Sequence, residues 1–169
     1  DILQIAAVQL KNGAVVPGSA MSIYLESDKE IPEMLGDIVN PIIEERRHHQ
    51  LISRQEALQR FVDYAQGTVL LGHNADFDIH ILTNNLLREL PECPLPENLN
   101  NYLDSLLLIR LLRPGLRQYK LKYLLEVLHL EGENSHLADA DVNATRSLTI
   151  FCYDHAREMV AEQQSFITH

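Results

Sequence analysis

Thr68-Val69-Leu70-Leu71-Gly72-His73-Asn74-Ala75-Asp76-Phe77-Asp78 is the stretch that decides the fold class. Its first four residues are apolar or β-branched and end at a glycine, which predicts a short strand over Thr68–Leu71. Polar turn residues follow, and from about Asp76 to Leu90 the apolar positions Ile79, Leu82 and Leu86 recur at helical spacing. Strand, turn and helix in that order are the building unit of α/β domains, where functional side chains gather at strand ends and helix N-termini. Asp76 and Asp78 are two residues apart, so on a helix they diverge by about 200° and only one can face a given centre. Acids are also favoured at helix starts by capping and by the helix dipole alone, so this segment leaves both roles open.

Working upstream, Asp1–Leu10 is apolar and reads as a strand buried on both faces, with Asn12-Gly13 as the turn that ends it. Ser22–Leu25 reads as its partner. Ile31–Gln50 resists assignment, because Pro32 and Pro41 interrupt any long element, and Glu44 to His49 looks like a solvated charged stretch. Ser53-Arg54-Gln55-Glu56 is a capping box, followed by an apolar stripe of Leu58, Phe61, Val62 and Ala65 and a stop at Gly67. Downstream, Pro91, Pro94 and Pro96 mark a loop. Tyr102–Leu107 reads as a strand running into a helix that ends before Pro114. Leu121, Leu124, Leu125 and Leu128 predict a helix closed by Gly132. A last helix from near Asp139 carries Ala144, Leu148, Phe151 and Met159 on one side. The order predicts one α/β domain with a mixed sheet over residues 1–169.

Composition narrows the partners. A chain of 169 residues fits one core. No apolar run approaches the roughly 20 residues of a membrane span, and no signal peptide precedes the first strand-like segment. A cytoplasmic location is expected, with Cys93 and Cys152 as reduced thiols. The formal net charge of −10 argues against affinity built on neutralising phosphates with Lys and Arg. Divalent metal ions are one alternative source of positive charge, and an acidic protein with no nucleic-acid partner is the other reading. Positive charge does concentrate locally in Arg110, Arg113, Arg117, Lys120 and Lys122. These could hold phosphates or simply form a solvated helix face.

Ser135-His136-Leu137-Ala138-Asp139-Ala140-Asp141 is the second informative segment. His136 and Asp141 would stand about 140° apart if both were helical. They converge on one site only with His136 in the loop and Asp141 in the helix. Helix-start acids beside a surface histidine are the alternative. Taken together, the two segments resemble the DEDDh 3′–5′ exonucleases, the family of the proofreading epsilon subunit of bacterial DNA polymerase III. His73-Asn74-Ala75-Asp76-Phe77-Asp78 resembles that family's second motif, His-Asn-x-x-Phe-Asp. His136 through Asp141 resembles the third, a His followed four residues later by Asp, and Ala144-Thr145 continues it. Tyr102-Leu103-Asp104-Ser105-Leu106 is similar to the family's intervening strand, and Asp1–Leu10 to its second strand.

The resemblance implies a ribonuclease H-like mixed sheet flanked by helices. It implies two divalent ions, Mg²⁺ or Mn²⁺, with Asp78 and Asp141 as ligands and His136 as the base that takes a proton from water. The implied substrate is the 3′ end of a nucleic acid, DNA rather than RNA, with a polymerase or helicase domain as a partner. Asn74, Arg117 and Lys120 are the candidate substrate contacts, while His73 and Asn74 are expected to shape the turn. His48, His49, His80, His129, His155 and His169 have no supporting pattern and read as surface or packing residues. One departure stands out: the family's first motif, Asp-x-Glu, belongs on the strand before Asp1–Leu10 and is not found in this sequence. Glu26 and Asp28 have the order reversed. The expectation is therefore an absent central strand, leaving Asp1–Leu10 and Thr68–Leu71 at two-strand spacing, roughly 10 Å. A non-catalytic nucleic-acid-binding or structural domain that has lost the motif is the competing reading.

Overall fold

In the computed structural model, residues 2–27, 36–132 and 137–167 are described, with side chains omitted for 36–40 and 163–167. β1 (Gln4–Ala7) runs antiparallel to β4 (Met21–Leu25), with Gln4 opposite Tyr24 and Ala7 opposite Met21. Between them β2 (Leu10–Lys11) and β3 (Ala14–Val15) form a small hairpin. Its turn needs two successive residues with positive φ, and Asn12 (53°) and Gly13 (79°) supply them. The expected single strand over residues 1–10 is thus split. Its residues are half-buried rather than buried on both faces, because one edge of β1 has no ladder partner among the described residues.

α1 (Gly36–Arg46) occupies the segment that resisted assignment and contains Pro41. The charged residues Glu44 to Arg46 belong to its last turn, and the expected solvated stretch is largely that: Glu44, Arg47, His48 and His49 are exposed. Arg46 donates to the Leu25 carbonyl, and Glu44 accepts from Arg47 at 2.8 Å. β5 (Leu51–Ile52) then pairs parallel to β4, giving the order β1-β4-β5. α2 (Arg54–Ala65) begins at Ser53, whose hydroxyl accepts the Glu56 N–H at 3.2 Å. Ala57 and Leu58 are fully buried beneath it.

β6 (Leu70–Gly72), α3 (Ala75–Glu89) and β7 (Tyr102–Asp104) form a βαβ unit, with Leu70 beside Tyr102 and Gly72 beside Asp104 in a parallel pair. The strand ends at Asp104 instead of continuing to residue 107, because Asp104 caps α4 (Ser105–Leu112). α5 (Leu121–Val127) follows. It is closed by His129 rather than Gly132: His129 takes φ 53°, and Leu130 N–H bonds back to Leu125 O at 2.9 Å. Gly132 serves packing instead, since a Cβ there would sit 3.0 Å from the Ala144 Cα.

α6 (Ala138–Ile167) completes the described chain. Ala144, Leu148 and Cys152 bury its inner face against Ile109, Leu121, Leu124 and Leu125. Met159 lies beyond these helices and is exposed, so the inner stripe ends earlier than the spacing suggested. A second apolar cluster joins Leu58, Leu82, Leu86 and Leu99, and a third joins Ile23, Leu25 and Ala57. Ile2 and Ile5 pack against both, which ties β1 to the β6–α3–β7 unit through side chains. No ladder hydrogen bonds join β1 to β6 among the described residues. Among these residues no helix is long and apolar enough to cross a membrane. Cys93 is exposed, Cys152 is buried, and both are free thiols.

Candidate active site

The site is assembled at the C-terminal ends of β6 and β7. Asp104 is buried there, with 9% of its surface exposed. One of its oxygens accepts Leu106 N–H at 2.8 Å and Asn74 N–H at 2.9 Å, and the other accepts Ala75 N–H at 3.1 Å. A single carboxylate thus caps α4 and also satisfies amides at the start of α3, where unpaired N–H groups attract negative charge. The chain can reach it because Asn74 takes a left-handed conformation (φ 64°, ψ 46°), which asparagine tolerates better than most residues. The Asn74 side chain is exposed and makes no capping bond.

This turn sets the direction of the two acids that follow. Asp76 accepts the Tyr102 hydroxyl. Asp78 feels the charge of Asp141 instead. Its carboxyl is raised from 3.8 to about 6, first because packing around it strips water from the charged form, then through repulsion by Asp141 and by Asp104. The Asp78 side chain nevertheless keeps surface open to solvent, so a ligand can reach it.

Asp141 lies in the first turn of α6, with Oδ1 shielded from solvent. The helix start is anchored to the sheet. Gln4 Oε1 accepts Ala138 N–H at 2.9 Å, while Gln4 Nε2 donates to Ser22 Oγ at 3.2 Å. Ser22 in turn donates to Asp139 Oδ2 at 3.2 Å. Asp139 is thereby held toward β4. Asp78 and Asp141, far apart in sequence, are brought together. Among the described residues they form a carboxylate pair rather than a cluster of three or more metal-type ligands. His136 lies outside the described residues.

Arg117 and Lys120 are exposed in the α4–α5 loop. Two of the other cations lie over rings: Arg110 is 5.4 Å from the Tyr119 centroid, and Arg113 is 5.9 Å from that of Phe151. The loop touches the site through His73. Its Nε2 donates to the Tyr119 carbonyl at 2.9 Å, and its Nδ1 lies 3.0 Å from Ser105 Oγ. Burial lowers the His73 pKa, an effect that Arg110 reinforces and that the Tyr119 bond and Asp104 oppose. The neutral ring must carry its proton on Nε2, because a carbonyl only accepts. Elsewhere His49 stacks on Tyr24 (4.4 Å) and His155 on Phe151 (5.8 Å), so these two are packing residues.

Sequence reasoning passed over Asp104, Ser105, Gln4 and Ser22 as organisers of the site. For Asp104 a signal existed: Asp-Ser ahead of four apolar residues is a helix-start pattern, which strand propensity around Tyr102 masked. Gln4 and Ser22 act across the fold and leave no local trace.

The chain belongs to the RNase_T family, described as Exonuclease, which matches residues 1–149. It is 28% identical over 158 residues to a DNA polymerase III PolC-type of Clostridium perfringens, covering 93% of this chain and 10% of that protein. It is 29% identical over 164 residues to the 3′-5′ exonuclease DinG of Bacillus subtilis, covering 94% of this chain and 16% of that one. The chain therefore spans a small part of these relatives' length. The fold is similar to that of Exonuclease X, solved in complex with 5′ overhanging duplex DNA. The TM-score is 0.60 at 22% identity, covering 90% of this chain and 82% of that one. The ribonuclease H-like architecture implied by the sequence is the one observed.

Proposed function

We propose that this chain is the catalytic domain of a metal-dependent 3′–5′ exonuclease that hydrolyses terminal phosphodiesters of DNA to nucleoside monophosphates. One observation carries the reading: the exonuclease family matches residues 1–149, and its motif acids Asp78 and Asp141 stand at the starts of α3 and α6, where Asp141 adds to the rise of the Asp78 carboxyl. Two acids so placed suit hard divalent cations, which take oxygen ligands. Asp78 and Asp141 would hold Mg²⁺ or Mn²⁺, and the bound ions would supply a Lewis acid that lowers the pKa of water and neutralises phosphate charge. Among the described residues one edge of β1 and one edge of β6 carry no ladder partner.

His136 takes the proton from the attacking water; the hydroxide adds in line to the terminal phosphorus as the P–O3′ bond breaks, releasing a 5′-mononucleotide and a shortened strand whose 3′-oxygen takes up a proton. Asn74, Arg117 and Lys120 contact the substrate strand. A polymerase is the expected companion, supported by the PolC-type relatives.

The test is degradation of a 3′-labelled single-stranded oligonucleotide by the intact protein with Mg²⁺ or Mn²⁺. A matched RNA and a 3′-blocked control run in parallel. Release of 5′-mononucleotides, abolished by EDTA and by the block, is expected. Cleavage inside the strand, or none with either metal, overturns the reading.

A further inference from the structure

The proposed chemistry leaves one part-buried polar arrangement without a role. The loop of residues 113–120 is closed on itself by a single side chain: the Tyr119 hydroxyl donates to Arg113 O at 2.9 Å and accepts Leu116 N–H at 3.3 Å. Arg110 covers the Tyr119 ring. The loop is therefore a preformed unit, and its backbone is tied to the end of β6 by the His73 Nε2 bond to the Tyr119 carbonyl. On its other side the His73 ring meets Ser105, which is fully buried and starts α4.

Ser105 Oγ also lies 3.1 Å from the Gly72 carbonyl. A hydroxyl has one proton, so with a neutral ring it bonds fully to either His73 Nδ1 or Gly72 O, but not to both. The Nε2 bond to Tyr119 faces no such competition. It is the fixed half of the bridge.

Arg117 and Lys120 flank Tyr119 and are exposed. We infer that His73 is a positioning residue: by holding the Tyr119 carbonyl it seats Arg117 and Lys120 beside the Asp78–Asp141 site, where they receive the phosphates of the substrate strand. This rests on the nuclease reading above. Its own content is that His73 acts through the loop.

The experiment measures binding of single-stranded DNA with a free 3′ end to the intact protein, in Ca²⁺, across a salt series. Removing two phosphate contacts from a single strand lowers the slope of log K against log salt by roughly 1.4, at about 0.7 per contact. R117A/K120A should show that decrease. His73→Asn places an amide near the Nδ1 position and forfeits the Tyr119 bond; it should show the same decrease. His73→Gln reaches the Nε2 position and should restore the wild-type slope. Adding His73→Asn to R117A/K120A should change nothing further, because both act through one loop. Tyr119→Phe, which unties the loop from Arg113 without touching His73, should shift the slope in the same direction.

A wild-type slope in His73→Asn, or losses that add to those of R117A/K120A, overturns the positioning role. So does a Gln variant no better than the Asn variant. Wild-type protein that binds but degrades nothing in Mg²⁺ removes the nuclease reading while the slopes still decide His73. Wild-type protein that does not bind DNA removes both.

Discussion

Asp104 accepts the Asn74 amide at 2.9 Å with the oxygen that also caps α4. The turn carrying the candidate site and the helix carrying the core residue Ile109 therefore share one anion. Replacing Asp104 with Asn keeps the shape but turns an amide donor toward an N–H. Loss of a buried acceptor of this kind costs about 1–3 kcal/mol. Urea unfolding of Asp104→Asn should show a drop on that scale at constant m-value. A change within about 0.5 kcal/mol, the ordinary range for surface substitutions, would rule out the shared cap.

Asp78 and Asp141 carry like charges, and Asp141 helps to raise the Asp78 carboxyl. Asp78→Ala and Asp141→Ala should each nearly abolish Mg²⁺-dependent release of mononucleotides in single-turnover assays. The isostere Asp141→Asn removes a like charge from Asp78, so without metal it should leave the melting temperature unchanged or raise it. A near wild-type rate in either alanine variant excludes that residue from the site. A clear loss of metal-free stability in Asp141→Asn would mean that its charge is structural.

The pH dependence follows from the raised Asp78 carboxyl. Its folded value of about 6 lies above 3.8, so between these values the folded chain holds a proton that the unfolded chain has released. The contribution of this group to stability is complete below about pH 4 and is lost as pH rises through about 6. Divalent cation binds the ionised form, so Ca²⁺ affinity should climb through that range and level off above it. Carbon-detected NMR of the side-chain carboxyl should place the metal-free midpoint near 6, and Asp141→Asn should lower it. A midpoint near 4 in the wild type would show that Asp78 is neither desolvated nor repelled.

The sequence was most legible where one residue type has one physical use. Ser53 through Glu56 and the leucines of α3 and α5 mark helices because caps and apolar stripes are local signals. The pairing of β4 with β5, only two residues in register, depends on α1, whose proline argued against it. The acids Asp78 and Asp141 were readable as members of two spaced motifs. Their approach depends on Asn74 adopting a left-handed turn and on Gln4 holding the start of α6, a contact across 134 positions. No periodicity reports such a contact.

The start of α6 supplies the sharpest test of register. Asp139 and Asp141 are two residues apart, and a helix shifted by two positions would exchange their roles. The structure turns Asp139 toward Ser22 at 3.2 Å, and the field at Asp78 comes from Asp141. Asp139→Asn retains an oxygen that can accept the Ser22 hydroxyl, so its turnover should stay close to wild type. Replacing His136 with Gln removes the group assigned to the water proton. It should slow the chemical step by about 10²–10⁴-fold, the usual range for general acid–base catalysis. Substrate affinity should change far less, because the strand is held elsewhere. Single-turnover rates at saturating protein, with affinities measured separately in Ca²⁺, distinguish the two effects. If Asp139→Asn is the more damaging of the two, the roles of Asp139 and Asp141 must be exchanged.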